Sequence, residues 1–419
     1  MTAKEQLVNI TLDKEVYCYG AGNYGKTVAY SLIDINVDFK GFIVTNKNNV
    51  SNYVMKKKVY SIDEINVSAN SVILVCVNSF ICGELEKELK ERQISNYYII
   101  SEQMVAELND TTDFEVDVDN DKKVNVLLYH RVCDIKPDIW NLAVSPVQFE
   151  LQMKYLKENF SIIRFEDDWS DIKKKSVVIT FDDGYVDNYK NALPILEKYE
   201  IPATFFISTG NIDSEKEFWW DELSTLLYGN AKLPSQIMYE NEMFNLVSHN
   251  EKKMFCQKFR SDIMIMDEVG RCNALNWLHT VLEVPYVNED INREINSREL
   301  IELSKSRVIT IGAHTQSHGR LAALNSEQQF IEIYESKKKL ENITNKEIKY
   351  FSYPFGCDGD YDETTVKIVR ECGFLKSAAV KGGLYDKIQG EYEIPRNSVP
   401  GGSDLKAFKK FIRKIWYEY

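Results

Sequence analysis

Residues Val177–Tyr185 read VVITFDDGY, and the reading of the whole chain turns on them. Val177, Val178, Ile179 and Thr180 run into Phe181 with apolar side chains on both faces, the pattern of a strand buried in a parallel sheet. Asp182 and Asp183 stand at its C-terminal end, immediately before Gly184. Because strand side chains alternate, both carboxylates can face one pocket only where the strand breaks, and Gly184 permits a break. Two anions held that close raise one pKa unless a cation intervenes. Taken alone, the stretch reads more readily as a strand that ends in a solvated acidic turn.

Outward from it, strands and helices alternate. Val124–Tyr129 is a strand that delivers His130 at its end, Pro146–Glu158 a helix with Ser145 as N-cap, and Ser161–Phe165 a further strand. Beyond the central stretch come a helix over Asn188–Tyr199 and the strand Ala203–Ser208. The rhythm lapses over about residues 211–298, which read as a largely helical insertion. Within it, the aromatic faces of Trp219 and Trp220 suit either a sugar ring or an anchor to the rest of the domain. The alternation resumes with the strand Val308–Ile311, which runs into Gly312-Ala313-His314-Thr315-Gln316-Ser317-His318. A helix over Ser326–Ile343, a strand Tyr350–Tyr353 ending at Pro354-Phe355-Gly356, a helix Glu363–Cys372 and a strand Leu375–Val380 complete it. Repeated β/α units of this kind predict an α/β fold, an irregular (β/α)7-type barrel.

A chain of 419 residues is too long for one ordinary core, and its start supplies a second unit. Val16–Tyr19 is a short strand followed by Gly20-Ala21-Gly22-Asn23-Tyr24-Gly25 and a helix, so the GxGxxG spacing sits in its required strand-to-helix setting. Residues 1–105 are therefore expected to form a small Rossmann-like parallel α/β module. The acidic stretch 106–122 is expected to be a linker, and 123–419 the barrel. Gly20, Gly22 and Gly25 are candidate cofactor-binding positions for a nucleotide or nucleotide sugar. The second strand ends in Thr45-Asn46-Lys47, where a dinucleotide ribose needs an acid, which argues against NAD. A structural or oligomerising module, giving a homo-oligomer, is the alternative.

Composition bounds the partners. With 44% hydrophobic and 12% aromatic residues the chain can bury a sizeable core. A net charge of −13 argues against nucleic acid or an anionic membrane and suits neutral or cationic ligands. The start lacks the basic and apolar segments of a secretion signal, and no 18-residue apolar run follows, so a cytoplasmic protein without an integral membrane segment is expected. Eight cysteines without a CxxC pair indicate neither a thiolate zinc site nor a redox dithiol.

The informative fact is positional. His130, Asp182, Asp183, His314, His318 and the Pro354 loop all fall at C-terminal strand ends, where barrel enzymes build their sites. His314 and His318 are four apart, which would put both imidazoles on one side of a helical turn. A carboxylate from another strand then completes a His-His-Asp set with open positions, the catalytic form of a zinc site. With Asp183 as the ligand, Asp182 is left free to act as base and His130 to donate a proton to a leaving group. A base, an acid and a Lewis acid together describe hydrolysis of an amide or ester. A buried structural histidine is the rival reading for His130.

These residues resemble the polysaccharide deacetylases, carbohydrate esterase family 4, over residues 124–400. TFDDG at Thr180–Gly184 is similar to that family's first motif, HTQSH to its second and Tyr353-Pro354-Phe355-Gly356 to its third. The resemblance implies Asp182 as general base, Asp183, His314 and His318 as ligands to zinc or another divalent ion, and the Phe355 backbone N–H as an oxyanion donor. The third motif usually carries an arginine two residues before its proline, where this chain has Ser352; Arg396, in IPRNSV, is the candidate to orient Asp182 instead. The usual late histidine is absent, and His130 in LLYHRV is similar to the early acid of members with a permuted motif order. The implied function is metal-dependent removal of N-acetyl groups from an amino sugar in cell-surface glycan biosynthesis. Its substrate would be an N-acetylated sugar, an oligosaccharide or a nucleotide sugar. A deacylase for another acyl group or a lipid-linked sugar, and an inactive glycan- or nucleotide-sugar-binding protein, are the alternatives.

Overall fold

The computed structural model describes residues 1–48, 50–65, 67–110, 123–172, 174–229, 232–287, 290–385 and 390–418. It divides into two compact units, Met1–Asp117 with Lys409–Tyr419, and Val118–Phe408. The sequence reading ended the module at residue 105 and kept the C-terminus with the barrel. In the structure a helix continues to Asp110, and the last eleven residues belong to the first unit. The remainder of the expected linker, 111–122, lies outside the described residues. Among the described residues, no helix is long and apolar enough to cross a membrane.

The first unit begins with helix α1 (Ala3–Thr11), which Thr2 and Glu5 cap reciprocally. It continues through β1 (Glu15–Tyr19), α2 (Asn23–Asp34), β2 (Phe39–Val44), β3 (Tyr53–Val54), β4 (Lys57–Ser61), β5 (Ser71–Val75), α3 (Ser79–Glu91), β6 (Tyr97–Ile99) and α4 (Glu102–Asp110). The sheet order is β3-β4-β2-β1-β5-β6, parallel except for the β3–β4 pair. The order reverses beside β1, so the GxGxxG loop lies at the switch point of a doubly wound sheet. In the same unit Arg413 donates to Asp34 at 2.6 Å, and Tyr30 donates to Glu418 at 2.8 Å.

The second unit opens with β7 (Val124–Tyr129), the short parallel pair β8 (Arg131–Val132) and β9 (Ala143–Val144), α5 (Pro146–Asn159) and β10 (Ser161–Ile162). Then follow β11 (Ser176–Phe181), α6 (Leu193–Lys198) and β12 (Ala203–Ile207). The insertion holds α7 (Trp219–Tyr228), an unforeseen hairpin of β13 (Gln236–Tyr239) and β14 (Glu242–Asn245), α8 (His249–Ile263) and α9 (Glu268–Leu282). After it come α10 (Ser297–Lys305), β15 (Ile309–Ala313), α11 (Ser326–Thr344), β16 (Tyr350–Ser352), α12 (Glu363–Glu371), β17 (Lys376–Ala378) and β18 (Asn397–Ser398); the last helix, α13 (Leu405–Glu418), starts here, and its residues from Lys409 on are counted with the first unit.

The barrel sheet runs β17-β16-β15-β12-β11-β7-β18, with β10 also on β11, and every pair is parallel. Its closing strand, β18, was not foreseen: two residues of ladder carry no periodicity to read. The approach to β18 bonds the other edge, Ile394 bridging Ala378 while Asn397 and Ser398 pair with Leu127 and Leu128, so one stretch touches both ends of the sheet. Beneath the strand ends Phe181 stacks on Phe205, centroids 4.4 Å apart, and packs against Tyr129 and Phe149. That floor is rigid because its rings interlock, and it fixes where the residues above it emerge.

Candidate active site

Register sets the site. Phe181 is paired with Tyr129 and with Phe205, and Ala313 with both Ile207 and Phe351. The next residues along these strands, His130, Asp182, His314 and Ser352, therefore reach the same rim. His130, Asp182 and His314 border a cavity of about 360 Å³ together with Asp183, His318, Trp140, Trp219, Trp220, Arg260 and Phe355, with Ser352 behind them.

The chain leaves strand geometry sharply there. Asp183 has φ 75° and Gly184 donates back to the Asp182 carbonyl at 3.0 Å, a three-residue turn centred on an aspartate. The same turn recurs at Phe355, φ 60°, where Gly356 donates to the Pro354 carbonyl at 2.7 Å. Thr315 and His318 also lie at positive φ, 64° and 50°. Four side-chain-bearing residues in this costly region, all at one rim, mark a place where backbone strain is held by the surrounding packing. The expected helical turn at HTQSH is not present. An irregular loop brings the imidazoles together instead, ring centroids 4.8 Å apart. Glu332 of α11 holds that loop, accepting from the N–H groups of Gln316 and Ser317 at 3.0 and 2.9 Å and from the Ser317 hydroxyl at 2.7 Å.

Asp183, His314 and His318 are all buried, and one potential ligand atom from each lies within 4.8 Å of the others. His318 Nε2 is 3.2 Å and His314 Nε2 3.6 Å from Asp183 Oδ1. His314 Nδ1 lies 2.8 Å from the Ser352 carbonyl, which accepts a hydrogen bond from Nδ1–H and leaves the Nε2 lone pair facing the carboxylate. Asp183 Oδ1 has no hydrogen-bond donor among the described residues although it is buried. A buried carboxylate oxygen without a donor, facing two imidazole nitrogens, fits a divalent cation. Burial opposes charge on Asp183, but the two imidazoles hold its carboxyl well below the usual range.

Asp182 is bound differently. Arg396, completely buried, donates Nη1 to Asp182 Oδ1 at 2.7 Å and Nη2 to Oδ2 at 2.6 Å. Ser352 Oγ accepts from the same Nη2 at 2.6 Å and donates to Oδ2 at 3.1 Å. Burial raises the Asp182 carboxyl, and Arg396 with His314 outweighs it, so the net shift is downward. Ser352, which replaces an expected arginine, thus orients His314 through its carbonyl and completes the Arg396–Asp182 pair through its hydroxyl.

His130 follows β7 at the cavity wall, and the Asn188 side chain donates to its carbonyl at 2.8 Å. Behind it Arg131 donates to Asp187 at 3.1 Å and to Asn292 at 2.9 Å. Phe355 packs edge-on to His318, centroids 4.8 Å apart, and its N–H has no acceptor among the described residues. Trp219 and Trp220 divide the two roles expected of them: both belong to the insertion's apolar core, and both line the cavity. Three contributors escaped the sequence reading. Trp140 donates its indole N–H to the Trp220 carbonyl at 3.0 Å, Arg260 arrives from α8, and Glu332 acts from behind. None lies at a strand end or in a motif, so no local signal pointed to them.

In the first unit Gly20 and Gly25 are dictated by packing. Gly20 has φ 111°, and a Cβ on Gly25 would sit 1.8 Å from the Gly20 carbonyl oxygen. Gly22 has open space around it and caps α2. The structure brings these three together at the switch point, on a different unit from the barrel residues.

Residues 170–237 and 280–376 match the family model described as polysaccharide deacetylase. This part of the barrel is similar to the polysaccharide deacetylase family. YxkH of Bacillus subtilis (strain 168), provisionally named a polysaccharide deacetylase, is 31% identical over 107 residues, 26% of this chain and 37% of that one. The chain thus spans little more than a third of the length of the curated relative it matches. Among solved structures, a polysaccharide deacetylase from Bacillus cereus is 22% identical over 69% of each chain, with a TM-score of 0.45. The deacetylase PplD of Streptococcus pyogenes, solved in complex with acetate, is 18% identical over 69% of this chain and 97% of that one, with a TM-score of 0.44. The matched stretches of the barrel include Asp182, Asp183, His314, His318, Ser352 and Phe355, whereas His130 and Arg396 lie outside them.

Proposed function

We propose that the barrel is a metal-dependent hydrolase that removes N-acetyl groups from an amino sugar in cell-surface glycan biosynthesis. One observation carries the reading: Asp182 is clamped by Arg396 directly beside a buried Asp-His-His cluster whose carboxylate oxygen has no donor among the described residues. A divalent ion held by Asp183, His314 and His318 would supply Lewis acidity at the acyl carbonyl. Asp182 takes the proton of the attacking water, and its fork with Arg396 fixes the direction in which the carboxylate receives it. Phe355 offers its free N–H to the oxygen that becomes anionic. His130 gives a proton to the nitrogen as the C–N bond breaks, and acetate and a free amine result. The aromatic wall of Trp140, Trp219, Trp220 and Phe355 suits the apolar face of a sugar ring.

The test is mass spectrometry of the zinc-loaded protein with a panel of N-acetylated sugars, oligosaccharides and nucleotide sugars. Asp182→Asn keeps the metal and loses acetate release, while His314→Ala loses both. An Asp182→Asn protein that still releases acetate at the wild-type rate overturns the assignment.

A further inference from the structure

The unexplained group in the cavity is Arg260. It projects from α8 of the insertion into the space shared with Asp182, Asp183 and the two metal-site histidines. Its guanidinium carbon lies 5.4 Å from the Trp140 ring and 5.9 Å from the Phe355 ring, and it makes no hydrogen bond or ion pair among the described residues. Asp360, the acidic side chain at that wall, is already committed, with Oδ1 on Arg320 at 3.0 Å and Oδ2 accepting from the Cys357 N–H at 2.9 Å.

A guanidinium stays charged in a protein and carries five donors that need acceptors. Burial works against its charge and outweighs what the nearby Asp360 carboxylate returns, and two ring faces face the guanidinium. An arginine used merely to pin the insertion would pair with the carboxylate beside it, yet Arg320 holds that carboxylate. Arg260 instead keeps its fork unpaired toward the cavity. Phe355 stands between it and the metal-site histidines, packing edge-on to His318 and presenting its ring to Arg260. A sugar whose acyl group reaches Asp182 would lie over Phe355 and Trp140 and bring its own substituents, or its next linkage, to Arg260.

The geometry points to an anion-recognising subsite: Arg260 binds a phosphate or carboxylate carried by the N-acetylated sugar, or by the bond that joins it to its carrier, and so selects charged substrates over neutral glycans. This rests on the deacetylase reading and narrows it. The acidic composition of the chain suited neutral or cationic ligands; the local charge at this wall has the opposite sign, and the pocket rather than the surface decides what enters it.

The experiment compares wild type, Arg260→Met and Arg260→Lys, all full-length and zinc-loaded, on N-acetylglucosamine, N-acetylglucosamine 1-phosphate, N-acetylglucosamine 6-phosphate and N-acetylmuramic acid. Acetate release gives kcat and KM, and calorimetry gives binding of the 1-phosphate. Wild type is expected to prefer at least one anionic sugar, and Arg260→Met to reduce that preference about 10- to 100-fold through KM, with Arg260→Lys intermediate. Preference for the phosphates or for the muramic acid tells which anion the fork receives. Acetate release by wild type without preference for any anionic sugar overturns the subsite and leaves deacetylation standing. Equal loss on neutral and anionic sugars with a lowered Tm makes Arg260 a structural tether and also overturns it. If no sugar releases acetate, the deacetylase reading fails and calorimetry decides alone: 1-phosphate binding that Arg260→Met abolishes supports the subsite, and absent or unchanged binding overturns it.

Discussion

Arg396→Met is the substitution that probes the site most sharply. Arg396 is wholly buried and makes two charge-assisted hydrogen bonds to Asp182, at 2.7 and 2.6 Å, and a third to Ser352 at 2.6 Å. Removing one member of a buried ion pair leaves the other charged and uncompensated, which costs about 3–5 kcal/mol. For a large domain each kcal/mol lowers Tm by about 2–4 °C, so a fall of about 6–20 °C in the barrel transition is expected. With its cation gone, burial dominates at Asp182 and its pKa rises, so the acid limb of the kcat/KM profile moves to higher pH. The double variant Asp182→Asn/Arg396→Met should recover much of the stability, because neither charge is then stranded. Scanning calorimetry and a pH–rate series measure both effects. A fall below about 1 kcal/mol, no coupling between the two substitutions and an unmoved acid limb would refute the reasoning.

Three further outcomes follow from particular contacts. Asp221 is buried, its pKa pushed up to about 7 by burial despite Arg131, and it accepts from the Tyr185 hydroxyl at 2.6 Å. A raised carboxyl pKa stabilises the fold fully below the unfolded value near 4, and that contribution is lost as pH rises through about 7; denaturant titrations of Asp221→Asn should therefore lack up to about 4 kcal/mol of the wild-type decline across that window. Glu332→Ala frees two loop N–H groups behind His318, and titration with a chelator should show metal affinity weakened about 10- to 100-fold. In the first unit, Gly25→Ala forces a Cβ to 1.8 Å from the Gly20 carbonyl oxygen whereas Gly22→Ala meets open space, so hydrogen exchange across β1 and α2 should accelerate strongly in the former and little in the latter.

What could be read from the sequence was whatever local pattern encodes. The buried strand at Val177–Phe181 is β-branched and apolar throughout, so its presence and its parallel neighbours were legible, and with them the strand-end positions of His130, Asp182 and His314. Arg396 was reachable because an expected arginine was missing elsewhere, and the structure brings it onto both oxygens of Asp182. The helical turn imagined for His314–His318 was not legible, since the pair is arranged by left-handed backbone at Thr315 and His318 and by a carboxylate from α11. β18, Trp140, Arg260 and the joining of residues 409–419 to the first unit are set by contacts between residues far apart in the chain, which periodicity cannot report.

The most direct test of the central claim is acetate release by protein stripped with a chelator, dialysed, and assayed on its best N-acetylated substrate before and after one equivalent of zinc is restored. The account predicts no release from the stripped protein and recovery of most of the activity at one ion per chain. Equal release before and after, or none under any divalent ion, would contradict it.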